Sequence, residues 1–200
     1  MKRNLNFNLI LASASPRRKE LLENAGFHFK VHVVPIEEKI KDKETIPNYI
    51  HRNCTEKALA VSQFYSEKEI ILSADTVVVT KENQLLEKPN DKADAVRMLK
   101  ILSGTTHFVY TAYAIFSKNK KLAGKFIKTD VIFRELMDEE IEAYVQSAEP
   151  MDKSGAYGIQ GFAQGFVESV DGNYTSVMGL PLSHVIVDLY EIHKNFKVIF

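Results

Sequence analysis

Residues 70–79, Ile-Ile-Leu-Ser-Ala-Asp-Thr-Val-Val-Val, form a nearly unbroken apolar and β-branched run. Such a run suits a strand covered on both faces, the central position of a sheet with helices packed against it. Asp75 interrupts it, and a buried carboxylate without a partner is costly. A structural aspartate bonded to nearby backbone is the plain reading for a lone Asp in a strand. A second misplaced charge argues against that reading, and the next helix supplies one.

Apolar residues at Ile50, Cys54, Val61 and Phe64, with Ala58, predict an amphipathic helix over 45–64. Lys57 falls on that stripe, so its ammonium must either snorkel to solvent or point into a cleft. We expect an open, hydrated cleft, with Lys57→Met well tolerated for stability but poor for activity; the alternative is pairing with a buried acid such as Glu38 or Asp75, where the same change would cost stability. Asp75→Asn is likewise expected to leave stability unchanged or higher.

Upstream, residues 8–12 read as a first strand, and Ser15-Pro16 opens a helix with Ser15 as N-cap. Leu21 and Leu22 face inward, and Gly26 stops the helix. Phe29, Val31 and Val33 alternate with Lys30 and His32 as a half-buried strand. Downstream we expect a turn over 81–84, a helix over 91–102 stopped by Gly104, and paired strands over 107–116 and 125–133. A short helix over 138–146, a glycine-rich loop over 155–161, a strand over 166–170 and a last helix through Val185, Ile186, Leu189 and Tyr190 follow. Without strict alternation, this order predicts an α/β fold with a mixed central sheet flanked by helices, one domain over 1–200.

Ser13-Ala14-Ser15-Pro16-Arg17-Arg18 places a hydroxyl-rich loop and a helix N-terminus together, where backbone N–H groups and the dipole favour an anion. Arg17 and Arg18 oppose that dipole, so they suit a bound polyphosphate better than the bare helix; a solvated basic turn is the alternative. Lys88-Pro89 adds a cation after the turn. Glu37-Glu38 would ordinarily be solvated acids, but with Asp75 a carboxylate such as Glu38 could hold Mg²⁺ or Mn²⁺, which favours oxygen ligands and phosphates. The 155–161 loop can approach a ligand closely and offer the Gln160 amide to a base edge, or it can be only a tight turn.

Lysine plus arginine and aspartate plus glutamate both total 26, so no basic field argues for nucleic acid or a membrane surface as partner. No apolar run reaches the ~18 residues of a membrane span. The single Cys54 rules out an internal disulfide, fits a reducing cytoplasm, and lies mid-stripe as core rather than nucleophile. Neither G-x-x-x-x-G-K-[ST] nor G-x-G-x-x-G after a strand occurs, and the histidines lack metal-ligand spacing.

Leu11-Ala12-Ser13-Ala14-Ser15-Pro16-Arg17-Arg18-Lys19-Glu20-Leu21-Leu22 closely resembles the opening of the Maf family of nucleotide pyrophosphatases. Glu56-Lys57-Ala58, Ala74-Asp75-Thr76-Val77-Val78, Glu87-Lys88-Pro89, Leu102-Ser103-Gly104 and Glu149-Pro150-Met151-Asp152-Lys153 follow in family order. So do Gly155-Ala156-Tyr157-Gly158-Ile159-Gln160-Gly161 and Val177-Met178-Gly179-Leu180-Pro181-Leu182. The resemblance implies two lobes with a cleft, like inosine-triphosphate pyrophosphatases, and a metal-dependent cut between the α and β phosphates. It implies Asp75 as proton acceptor, with Ser13, Arg17, Arg18, Glu38, Lys57 and Lys88 lining the phosphate and metal site. Thr76 and Gln160 would mark the subgroup acting on dTTP and UTP, in house-cleaning of the nucleotide pool. The turn before Lys88 usually carries Gly; here it reads Lys81-Glu82-Asn83-Gln84, and Asn83 tolerates left-handed geometry. Ser154 replaces a common alanine. The expected partners are a nucleoside triphosphate and, at most, a second copy of the chain. The rivals are a non-catalytic nucleotide-binding regulator of septum formation and a phosphatase releasing orthophosphate.

Overall fold

The computed structural model describes residues 3–199, with the side chains of 197–199 left aside. Its sheet order is β2-β1-β3-β5-β6-β7, with β4 paired to β3. The chain divides into two compact units: 1–75, 111–127 and 179–200 form one, and 76–110 with 128–178 form the other.

In the first unit β1 (Asn8–Leu11) pairs in parallel with β2 (Phe29–Val31) and with the start of β3 (Glu69–Val79), Ile10 opposite Ile71. Leu11, Ile70, Ile71 and Leu72 are fully buried, as a doubly covered strand requires. α1 (Pro16–Asn24) begins with Ser15 capping the Arg18 N–H, and α2 (Ile46–Ser62) with Thr45 capping Asn48. α6 (Leu182–Ile199) buries Val185 and Leu189, and its Asp188 accepts from the Tyr113 hydroxyl at 2.6 Å.

The second unit contains the end of β3, with β4 (Leu85–Leu86) antiparallel to it, Val78 opposite Leu86. The intervening turn places Asn83 at φ 64, the left-handed geometry expected of it. α3 (Lys92–Leu102) starts at the Asp91 cap and buries Ala95, Met98, Leu99 and Leu102. β5 (Thr106–Ser117) and β6 (Lys120–Phe133) each contribute residues to both units. The end of β6 pairs antiparallel with β7 (Val167–Asp171), with a bulge between Ile132 and Phe133. α4 (Asp138–Gln146) and the short α5 (Tyr174–Val177) complete this unit. At its core the His107 ring meets Phe133 and Tyr157 edge-on, and Nε2 lies 2.8 Å from the Tyr157 hydroxyl.

Several expectations change. β2 stops at Val31 and leaves Lys30 and Val31 exposed, because it lies at the sheet edge. α2 ends at Ser62, so Phe64 leaves the apolar stripe and is 65% exposed. β6 begins at Lys120 rather than at 125, since Lys118 at φ 49 makes a tight turn directly after β5. Instead of one open loop, 154–156 and 161–166 form 3₁₀ turns.

Candidate active site

The first unit carries a charge network around Asp75. Asp75 is buried in β3, and both its carboxylate oxygens are engaged from α2. The Lys57 ammonium donates to Oδ1 at 2.8 Å, and the Asn53 amide donates to Oδ2 at 3.1 Å. Asn53 and Lys57 are one helical turn apart, so they share a face of α2. Lys57 Nζ also donates to Glu38 Oε2 at 2.6 Å, which joins two carboxylates through one cation. The Lys57 side chain is 15% exposed. This overturns the expectation of an unpaired ammonium in open, hydrated space: an acid in a buried strand requires compensation, and Lys57 provides it.

Glu38 lies on a loop without regular structure that residues of α2 tether. Tyr49, one turn before Asn53, donates its hydroxyl to the Glu38 carbonyl at 3.0 Å. Arg52 donates to the Lys39 carbonyl at 2.8 Å and grips both oxygens of Glu44 at 2.8 and 2.9 Å. That fork lowers the Glu44 carboxyl to about 2. Sequence reasoning missed Tyr49, Arg52 and Asn53. The 49, 53, 57 spacing put Tyr49 and Asn53 on the Lys57 face of the helix, whereas Arg52 lies off that row.

The hydroxyl-rich turn separates the two arginines, which were expected to act alike. Arg18 is buried, donating from Nη1 to Ser13 Oγ at 2.9 Å and from Nε to the Gly179 carbonyl at 2.7 Å. Burial lowers its pKa, while the Asp75 charge counteracts the loss and Arg17 adds to it. Arg17 is half-buried and has no ion pair among the described residues. Ser13 Oγ also accepts the Ser15 N–H at 3.3 Å, so this hydroxyl organises the turn. Cys54 is fully buried, and burial pushes its thiol up to about 12, which leaves no thiolate for catalysis.

The second unit holds Thr76, Lys88 and Gln160 on backbone that is itself tightly fixed. Gly155, at φ 70, packs so close to β3 that a Cβ there would meet three Val78 side-chain atoms at 2.9 Å. Its N–H donates to the Glu87 carbonyl at 3.1 Å, beside Lys88. The Ser154 hydroxyl donates to the Thr76 carbonyl at 3.4 Å. Strand, turn and loop are thereby joined. Lys88 is exposed and without an ion pair among the described residues, and Gln160 is half-buried with an amide free of hydrogen bonds among them.

Among the described residues no three histidine, cysteine or acidic side chains cluster as a metal cage. Two carboxylates directed at one cation remain a fitting donor set for Mg²⁺ or Mn²⁺, which completes its shell with waters and substrate phosphates. Among those residues no helix is long and apolar enough to cross a membrane.

Two relatives, from Bacillus anthracis and Bacillus cereus, are each named dTTP/UTP pyrophosphatase. Each is 46% identical over 190 residues, covering 95% of this chain and 96% of its own length. A HAM1 protein from Coxiella burnetii shares the fold, with a TM-score of 0.51 at 15% identity over 92% of this chain and 99% of that one. Residues 8–192 match the Maf-like protein family, from the first strand into the last helix. With that span and that identity to its relatives, the chain belongs to the Maf family.

Proposed function

We propose that this protein is a nucleoside triphosphate pyrophosphatase, acting on dTTP, UTP and related pyrimidine nucleotides, with Asp75 as its base. The observation that carries the mechanism is the buried Asp75 carboxylate, gripped at both oxygens and tied through Lys57 to Glu38. The substrate class follows from the pyrophosphatase relatives together with Thr76 and Gln160.

Asp75 accepts a proton from a water that attacks the α-phosphorus in line; the α–β bridging P–O bond breaks, and pyrophosphate leaves with the bonding pair. A base so placed is worth ~10²–10⁴-fold. Asn53 keeps the carboxylate oriented through Oδ2. Glu38 and Asp75 would hold a divalent cation, which when bound would neutralise phosphate charge. Arg17 and Lys88 bring cations with no carboxylate to leave behind among the described residues, and suit the departing pyrophosphate. Arg18 acts mainly by fixing Ser13 and the turn. Gln160 reads the pyrimidine edge by donating to a base carbonyl and accepting from the ring N–H. Cytoplasmic nucleotides are the natural pool for this reaction.

Product analysis tests the reading. dTTP and UTP should each give a monophosphate and pyrophosphate, silenced by a chelator and restored by Mg²⁺ or Mn²⁺. Orthophosphate as first product, tight nucleotide binding without turnover, or full activity in chelator would each sink it.

A further inference from the structure

We infer that Lys57 occupies the cation position of this site, so that metal loading is an exchange in which the ammonium releases Glu38 and Asp75. This rests on the two-carboxylate metal site proposed above and adds how that site is guarded. Three observations carry it. Glu38 Oε2 and Asp75 Oδ1 approach a single atom, Lys57 Nζ, at 2.6 and 2.8 Å, so both present lone pairs to one point. A hard divalent ion would need those same oxygens, and mutual repulsion keeps it from sharing them with an ammonium. The second Asp75 oxygen is held separately: Asn53 donates to Oδ2 at 3.1 Å from a fully buried position. Lys57 can therefore leave without freeing the carboxylate to swing. The unequal exposure of the acids gives the exchange a direction, since the Glu38 side chain is 48% exposed and that of Asp75 only 9%. Glu38 is the accessible end, where Lys57 gives way first.

The consequence is weak metal binding by the free enzyme. With Lys57 in place the two acids and one ammonium carry a net single negative charge, a poor trap for a divalent ion. Incoming triphosphate supplies both further oxygen ligands and a new partner for the displaced ammonium. Metal and nucleotide should then load together.

Direct Mn²⁺ binding to nucleotide-free protein, followed by the electron paramagnetic resonance of free Mn²⁺, tests this without reference to turnover. Lys57→Met should bind Mn²⁺ about tenfold or more tightly than the unaltered protein, because a competing charge is gone. Lys57→Gln, which keeps a donor for one carboxylate but no charge, should show the same direction and serves if Lys57→Met folds poorly. Glu38→Gln should weaken binding. If both lysine variants bind Mn²⁺ no better while Glu38→Gln weakens it, the exchange is refuted and the metal site stands. If Glu38→Gln and Asp75→Asn leave Mn²⁺ affinity unchanged, the metal site fails, and the exchange with it.

Discussion

The two units hold their functional side chains in opposite ways. Around Asp75 in the first, nearly every charge is already satisfied: Lys57 by two acids, Arg18 by Ser13 and Gly179, Asp75 by Asn53 and Lys57. In the second, Lys88 and Gln160 extend from fixed backbone without ion pair or hydrogen bond among the described residues. Burial explains the contrast. A charge taken from water must be compensated in the protein itself, whereas an exposed one can wait for its ligand in water. Substitutions in the first unit should therefore couple function to stability, and those in the second should separate them.

The largest effect is expected from Asp75→Asn, with turnover lower by ~10²–10⁴-fold as the base is lost. The structure also revises the expected stability: Lys57 loses one of two acids, so the melt should show a loss of about 1–3 kcal/mol rather than none. Pyrophosphate release and thermal melts on one preparation check both. Full stability with activity abolished would mean that the carboxylate contributes nothing to the fold, and the comparison would break.

Lys57→Met comes next. It removes a buried partner from Asp75, and such truncations cost ~3–5 kcal/mol, here toward the lower end because Asn53 remains. Activity should fall too, and added Mn²⁺ should recover part of the lost stability. A variant as stable as its parent would return Lys57 to open solvent.

Gln160→Ala probes the other unit. Discrimination between UTP and GTP should shrink roughly tenfold, for about 1–3 kcal/mol of base-edge pairing, while the melt moves little. Comparable losses of stability and specificity would erase the distinction between the units.

The last effect is spread over several pH units and concerns acid. Burial lowers His107 to about 3, so between pH 6.5 and 3 the unfolded chain binds a proton that the native state refuses. Stability is thus intact above pH 6.5 and falls by about 1.4 kcal/mol per pH unit below it, from this group. His107→Phe should flatten that limb in urea titrations at several pH values. An unchanged slope would assign the acid sensitivity elsewhere.

Asp75 and Lys57 were legible in the sequence because each breaks an apolar pattern, and a broken pattern shows without tertiary knowledge. The Ser15 cap was legible through local chemistry, and so was Asn83. What sequence could not show was who compensates whom. Lys57 could be read as a cation awaiting phosphate or as a partner of Glu38 or Asp75, and Glu38, 19 residues away on a loop without periodicity, gave no ground to choose the second. Asn53 beside Cys54 gave no sign that its amide meets Asp75, 22 residues on. Arg17 and Arg18 read as equals, yet successive residues on a helix differ by about 100° in direction, enough to bury one and leave the other half outside.

The Arg18–Gly179 bond joins positions 161 residues apart and closes the turn that begins at Ser13. During synthesis, that turn can emerge with β1 and α1 long before its last tether exists. Closing so long a loop is entropically slow relative to local contacts, which makes this contact a late event in folding. A ribosome-bound chain halted before residue 179 would therefore hold Ser13, Arg17 and Arg18 in sequence but not in place. Competence to grip an anion should switch on only when the final helix is being made.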